Sequence, residues 1–196
     1  MIRRLSDDIS CYLCSSLSYS DDKREVLSYG LQIVLGTSAK IISIAILAII
    51  FDIFVSTAVV SITFIIFRRI IGGVHCDTYN KCYFVSVSLM LLLGFLGSTP
   101  LVQSNHIIGL LIGIYLICVF ITIKWVPMGT NKKAIKNKET RRRIKLKTLT
   151  MLTLWFITLV IFKDLTSSQI GLSSLLSILL AFFMATPLMN GVKIEL

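Results

Sequence analysis

Charged residues are scarce in this chain. Asp, Glu, Lys and Arg together make up 15% of its 196 residues, whereas an ordinary soluble domain carries about 25%. Hydrophobic residues make up 55%, and the mean hydropathy is +0.85. One or two soluble domains are therefore excluded as the main content, and so is a disordered chain, which needs low hydrophobicity. An all-α polytopic membrane protein remains, with room for about six spans of about 20 residues each.

Acidic residues are the scarcest charges. Ten Asp and Glu stand against twenty Lys and Arg, which gives a net charge of +10. In a soluble protein this excess would indicate nucleic-acid binding. Here nine of the cations and one acid lie between Asn131 and Lys147, and the apolar remainder offers no module to dock on a duplex. We therefore expect no nucleic-acid partner and interpret residues 127–147 as a basic cytoplasmic loop that orients the protein.

Familiar cofactor motifs are also missing. The sequence has no Walker loop, no dinucleotide fingerprint and no zinc-binding HExxH, so we expect no cofactor and no metal. The five cysteines form no convincing disulfide set, because most of them fall on the predicted cytoplasmic side, where thiols stay reduced. That side holds Cys11, Cys14, Cys76 and Cys82, while Cys118 lies within an apolar stretch.

The first 26 residues lack the continuous apolar stretch of a signal peptide. Between Ile2 and Leu17, apolar residues recur at three- and four-residue spacing opposite a charged face. This pattern predicts an amphipathic helix that lies along a membrane surface. We therefore expect a single membrane domain over residues 1–196, with residues 1–26 as its amphipathic N-terminal arm.

Six apolar stretches follow the arm, and only Asp52 separates the first from the second. They are Leu27–Phe51, Ile53–Phe67, Tyr83–Gly97, Ile107–Ile123, Leu149–Phe162 and Ile170 to about Leu188. One long helix over Ile41–Phe67 would instead give five spans. With six spans, 18 of the 20 Lys and Arg residues fall on one side, so the positive-inside rule favours six spans with both termini cytoplasmic.

Reactive residue types concentrate in one predicted cytoplasmic loop, residues 68–82. Its last 11 residues hold two glycines, a histidine, two cysteines, an acid and an amide. A cysteine nucleophile activated by histidine needs thiolate and imidazole within hydrogen-bond reach. His75 and Cys82 are seven residues apart, and on one straight helix they would stand about 10 Å apart. This interpretation therefore requires the chain to turn between them.

The neighbours of the pair fit a catalytic loop. Gly72 and Gly73 supply backbone freedom before the histidine. Cys82 would open the third span, where a helix N-terminus and nearby cations favour the thiolate. Asp77 or Asn80 is placed to orient the imidazole, which is the third role in such sites.

Two other interpretations of the loop stay open on the residues alone. One is a metal site, although zinc favours four ligands at recurrent close spacing. The other is purely structural, with a lone histidine that caps a helix and cysteines that act as small hydrophobes. The metal set would be His75, Cys76, Asp77 and Cys82.

Three segments together resemble the AgrB family, the accessory gene regulator protein B of Gram-positive bacteria. The first carries the run Arg68-Arg69-x-x-Gly72-Gly73-x-His75-x6-Cys82. The second, before Lys40, is Leu27-Ser-Tyr-Gly-Leu-Gln-Ile-Val-Leu-Gly, and the third is Trp125-Val-Pro-Met-Gly-Thr-Asn-Lys-Lys. Trp125 and Val126 replace the usual Tyr-Ala, and Ala134 stands where a proline is common. Length and hydrophobic pattern agree as well, so the similarity covers nearly the whole chain.

The resemblance implies a membrane cysteine endopeptidase that processes AgrD, a short quorum-sensing propeptide. Cys82 would be the nucleophile, His75 its general base, and a thiolactone or lactone autoinducing peptide the product. Arg68, Arg69 and the two loop glycines would support the site. A homodimer fits the family, and membrane lipid is an expected partner.

Several cations are further candidates for substrate binding. The basic loop is suited either to attract the acidic tail of a propeptide or to serve topology and lipid binding alone. Lys40, inside a span, must pair or face a cavity. The loop candidates are Lys132, Lys133, Arg141, Arg142 and Arg143. Functions of other classes are a small membrane transporter or channel, and a non-catalytic membrane scaffold.

Overall fold

A computed structural model of the chain describes residues 2–17, 20–72, 78–99, 104–127, 137–162 and 169–187. The described residues form seven helices and no strand. The chain divides into two compact units, Met1–Ile46 and Leu47–Leu196. The helices are α1 (Ile2–Leu17), α2 (Asp21–Ile50), α3 (Phe54–Ile71), α4 (Tyr79–Ser98), α5 (Ser104–Trp125), α6 (Lys138–Ile161) and α7 (Gln169–Phe183).

Each of the six predicted apolar stretches falls on one of the helices α2 to α7. Five helices are long and apolar enough to cross a membrane, and α7 is a shorter apolar helix of 15 residues. The prediction of an all-α polytopic membrane protein is therefore confirmed. The chain is a multi-pass membrane protein.

A tight turn at Asp52 separates α2 from α3, so the alternative of one long helix over Ile41–Phe67 is wrong. Asp52 adopts φ 54°, a left-handed conformation that Asp tolerates better than most residues. Its N–H donates to Ile49 O (3.1 Å), and the N–H of Ile53 donates to Ala48 O (2.9 Å). These two hydrogen bonds form the Schellman motif of helix C-termini. A hydrophobic contact usually accompanies the motif, and the residues at its two positions, Ala48 and Ile53, are both buried.

Most of the helices begin earlier than the apolar stretches predicted, and α6 and α4 show why. Helix α6 starts at Lys138, well before Leu149, because the Asn137 side chain accepts the Glu139 N–H at 2.9 Å and caps its first turn. The second half of the basic loop is therefore helical. Helix α4 starts at Tyr79, with Thr78 as its N-cap in an extended conformation.

Helices α3, α4 and α7 pack through small residues. A Cβ added at Gly94 would overlap the Thr57 hydroxyl and lie 3.0 Å from Thr57 Cα. Gly97 meets Ser173 of α7 in the same way. The Ser177 hydroxyl donates to Val60 O of α3 at 2.8 Å. Glycine and serine at these positions let the backbones approach closely, as is typical of helices packed within membranes.

An aromatic cluster joins α3 to α6 and α7. The Phe67 ring lies 6.5 Å from the Trp155 ring and 5.9 Å from the Phe182 ring. Between α5 and α6, Tyr115 stacks on Phe156 at 4.5 Å. The two contacts of Phe67 hold α6 and α7 beside α3, the helix that leads into the reactive loop.

Within the first unit, α1 is amphipathic as predicted, and small residues form its buried face. Ser6, Ser10 and Cys14 are buried, whereas Leu5 and Tyr12 are 50% and 71% exposed. The buried stripe thus consists of small residues, whereas Leu5, Tyr12 and Leu17 are exposed. An outward apolar face matches a helix that contacts a lipid surface.

Candidate functional site

The reactive loop leaves α3 through Gly72. This residue adopts φ 78° and ψ −154°, a region that side-chain-bearing residues hardly enter. Its N–H donates to Arg68 O at 3.0 Å and closes the last turn of α3. Arg68 is partly buried and Arg69 is exposed. The backbone therefore turns sharply away from the helix at this glycine.

The loop enters α4 through Thr78. The Thr78 hydroxyl accepts the Lys81 N–H at 3.5 Å, and Thr78 O accepts the Cys82 N–H at 3.1 Å. Cys82 therefore lies in the first turn of α4, in a helix that begins four residues after His75. The helix that carries Cys82 therefore does not extend back to His75, which lies outside the described residues.

The Cys82 thiol is partly buried. Its Sγ lies 3.9 Å from the hydroxyl oxygen of Ser86, one turn further along α4. The sequence interpretation missed Ser86. The four-residue spacing that places two side chains on one helix face was visible, but nothing in the sequence distinguishes this serine from the others of the span.

Several predicted site residues lie outside the described part of the chain. Among those that are described, Asn80 is exposed in the first turn of α4, and Lys40 is partly buried in α2. The predicted residues outside the description are Gly73, His75, Cys76, Asp77, Lys132 and Lys133.

The start of α6 carries the described half of the basic loop. Arg141, Arg142 and Arg143 are all exposed. Arg143 pairs with Glu139 at 2.6 Å on the helix surface, a kind of pair that contributes about 0.3–0.5 kcal/mol. The Lys145 ammonium donates to Ile123 O near the C-terminus of α5, where a cation complements the helix dipole.

The family model described as accessory gene regulator B matches residues 6–185. The chain belongs to the AgrB family. The matched range includes the end of α3, the first turn of α4 and the basic start of α6. No solved structure matches the chain.

Relatives in the AgrB family are about one-third identical to this chain. Accessory gene regulator protein B of Staphylococcus aureus (strain Newman) is 32% identical over 134 residues, 67% of this chain and 68% of the relative. An AgrB-like protein of Clostridium perfringens (strain SM101) is 31% identical over 158 residues, 79% of this chain and 74% of the relative. One from Clostridium beijerinckii is 31% identical over 163 residues, 80% of this chain and 76% of the relative. The resemblance read from three short segments is therefore confirmed, and AgrB membership ties the chain to the accessory gene regulator system.

Proposed function

We propose that this AgrB-family protein is a membrane cysteine endopeptidase that cleaves an AgrD-like propeptide and promotes its cyclisation. One observation carries the proposal: in a chain of this family, Cys82 is a partly buried cysteine in the first turn of an apolar helix. A thiol at a helix N-terminus is in the environment that favours the reactive thiolate. His75 stands in the short connection that leads into that helix.

In the proposed first step, His75 takes the proton of Cys82, and the thiolate attacks the scissile carbonyl carbon. The new S–C bond forms as the carbonyl π electrons move to oxygen. Collapse of this adduct breaks the C–N bond, and the imidazolium of His75 protonates the departing amine of the tail. A thioester then joins Cys82 to the remaining peptide.

In the proposed second step, a cysteine or serine of the peptide attacks the thioester. Its proton passes to His75, and Cys82 leaves as the thiolate. The product is a thiolactone or lactone ring, so the acyl group is transferred within the peptide and not to water. A site at the membrane edge that excludes water favours ring closure over hydrolysis.

The proposed site faces the cytoplasm. The ends of α3 and α5 and the starts of α4 and α6 carry Arg68, Arg69, Lys81, Lys124 and the cations of α6, in agreement with the positive-inside rule. In this orientation both termini are cytoplasmic. A newly made propeptide bound to the inner leaflet would meet Cys82 directly.

A trapping experiment tests the proposal. The full-length protein in lipid vesicles is mixed with a propeptide that has an amphipathic leader, a central cysteine and an acidic tail. After an acid quench, mass spectrometry of the digested protein should show Cys82 carrying the propeptide without its tail, and hydroxylamine should remove this adduct. Cys11→Ala, which changes an exposed thiol in α1, should form the same adduct.

Two results would contradict the proposal. One is cleavage of the propeptide with the adduct on another residue. The other is accumulation of intact propeptide inside the vesicles with no adduct, which would favour the transporter alternative.

We further propose that one face of α6 attracts the acidic tail. Arg141 lies seven residues before Thr148 and eleven before Leu152, so it shares their side of the helix, and both of those residues are buried against the bundle. Arg143 points away from that side and already pairs with Glu139. Of these two arginines, Arg141 is therefore better placed to bind a carboxylate at the end of the helix bundle.

Arg141→Gln is expected to raise the KM for the propeptide about fivefold at low salt, whereas Arg143→Gln changes it less than about twofold. The difference should shrink in about 1 M salt, where the screening length falls to about 3 Å. Steady-state processing at two salt concentrations measures this. Equal effects of the two substitutions, or no effect at low salt, would count against the proposal.

A further inference from the structure

We infer that Ser86 is a positioning residue for the Cys82 sulfur, with its hydroxyl donating a hydrogen bond to the thiolate. The inference deepens the proposed endopeptidase function and rests on it. The observation is the contact of 3.9 Å between Cys82 Sγ and Ser86 Oγ. Sulfur is a weak hydrogen-bond partner as a thiol, but as an anion it becomes an acceptor for a charge-assisted bond.

Helix geometry explains why these two side chains meet. Residues four apart share one face of a helix, and side chains tilt towards the helix N-terminus. The Ser86 hydroxyl is therefore directed back towards Cys82, into the first turn of α4. Because Cys82 and Ser86 are both partly buried, water competes less for the sulfur than it would on an open surface.

The position of Ser86 also limits what the residue can do. It lies below Cys82, deeper in the span, so the hydroxyl approaches the sulfur from within the helix bundle. His75 precedes Cys82 in sequence, whereas Ser86 follows it by one helical turn. Ser86 would transfer no proton. It would hold the thiolate in place when Cys82 attacks and stabilise the same anion when Cys82 leaves the thioester.

Removing the Ser86 hydroxyl should slow both the attack of the Cys82 thiolate on the propeptide and its departure from the thioester. Ser86→Ala is expected to lower propeptide processing about tenfold, in the range for one hydrogen bond to a charged group. Ser86→Thr keeps a hydroxyl and should restore the rate to within about threefold of the parent protein. Ser88→Ala, on an exposed position of the same helix, is the matched control and should leave the rate unchanged.

Alkylation of Cys82 by iodoacetamide gives a readout that needs no propeptide. The full-length variants in lipid vesicles are treated at pH 7, and modification of Cys82 is followed by peptide mapping. If Ser86 only fills space, its truncation to alanine would open the site and speed the alkylation of Cys82. Loss of a hydrogen bond to the thiolate should instead slow it several-fold, with recovery in Ser86→Thr.

The outcomes separate this inference from the proposed function. Unchanged or faster alkylation in Ser86→Ala would overturn the role of Ser86, even if the parent protein forms the Cys82 adduct. Absence of the adduct in the parent protein would overturn the proposed endopeptidase, whatever the alkylation rates show. Slower alkylation that Ser86→Thr does not restore would also overturn the hydroxyl's role.

Discussion

Cys82→Ala is expected to reduce propeptide processing by at least about a thousandfold, because no other group in the first turn of α4 can form the thioester. His75→Ala should have a similar effect, and the double variant should be no worse than either single one. Residues that act as one catalytic unit show this non-additivity. Appearance of the released tail, followed by mass spectrometry with the protein in lipid vesicles, measures all three rates.

Two controls, propeptide binding by Cys82→Ala and treatment with a chelator, distinguish loss of the nucleophile from other causes of lost processing. Cys82→Ala should still bind the propeptide with an affinity within about threefold of the parent, since truncating the nucleophile removes little binding surface. A chelator should leave processing unchanged, whereas the alternative of a metal at the His75 loop requires inhibition that added zinc reverses. Substantial processing by Cys82→Ala would refute the nucleophile assignment.

Gly94→Ala is expected to destabilise the helix bundle by about 1–3 kcal/mol, the usual result of forcing a methyl group into a packed interior. The new Cβ would overlap the Thr57 hydroxyl and press on the Thr57 backbone, so α3 and α4 would have to separate. Since α3 and α4 also flank the reactive loop, activity should fall together with stability. Denaturation of the purified protein, followed by circular dichroism, measures the change.

Two matched variants test the cause of this loss. Gly109→Ala in α5 adds the same methyl group where nothing lies within 4 Å of it, so its stability should match the parent. Thr57→Gly combined with Gly94→Ala removes the opposing side chain and should recover part of the loss. A destabilisation by Gly109→Ala equal to that of Gly94→Ala would mean that the contact with Thr57 is not responsible, since alanine by itself favours a helix more than glycine does.

The sequence predicted those features that depend on composition and local chemistry. Long apolar stretches identify membrane helices because the bilayer tolerates little else. Asp52 marked the break between α2 and α3, since a lone acid between two apolar stretches favours a turn. The family resemblance rested on three short segments, one of which holds the reactive residue types His75 and Cys82.

Other features depend on contacts that no local pattern records. Hydropathy does not detect the first turns of α6, because a helix outside the bilayer needs only a cap, here Asn137, and not apolar residues. The close approach of Gly94 to Thr57 joins two residues that are far apart in sequence. The buried stripe of α1 consists of serine and cysteine, residue types that a hydrophobicity pattern reads as neutral.

The first turn of α4 has a consequence for how the proposed peptidase would stabilise negative charge. The Cys82 N–H already donates to Thr78 O, and the Lys81 N–H is directed to the Thr78 hydroxyl. The nucleophile's own amide is therefore unavailable for an oxyanion hole, where backbone N–H groups usually meet the developing alkoxide. The donors for that oxygen must come from outside the hydrogen-bonded ladder of α4, so the catalytic cysteine would not stabilise its tetrahedral intermediate with its own amide.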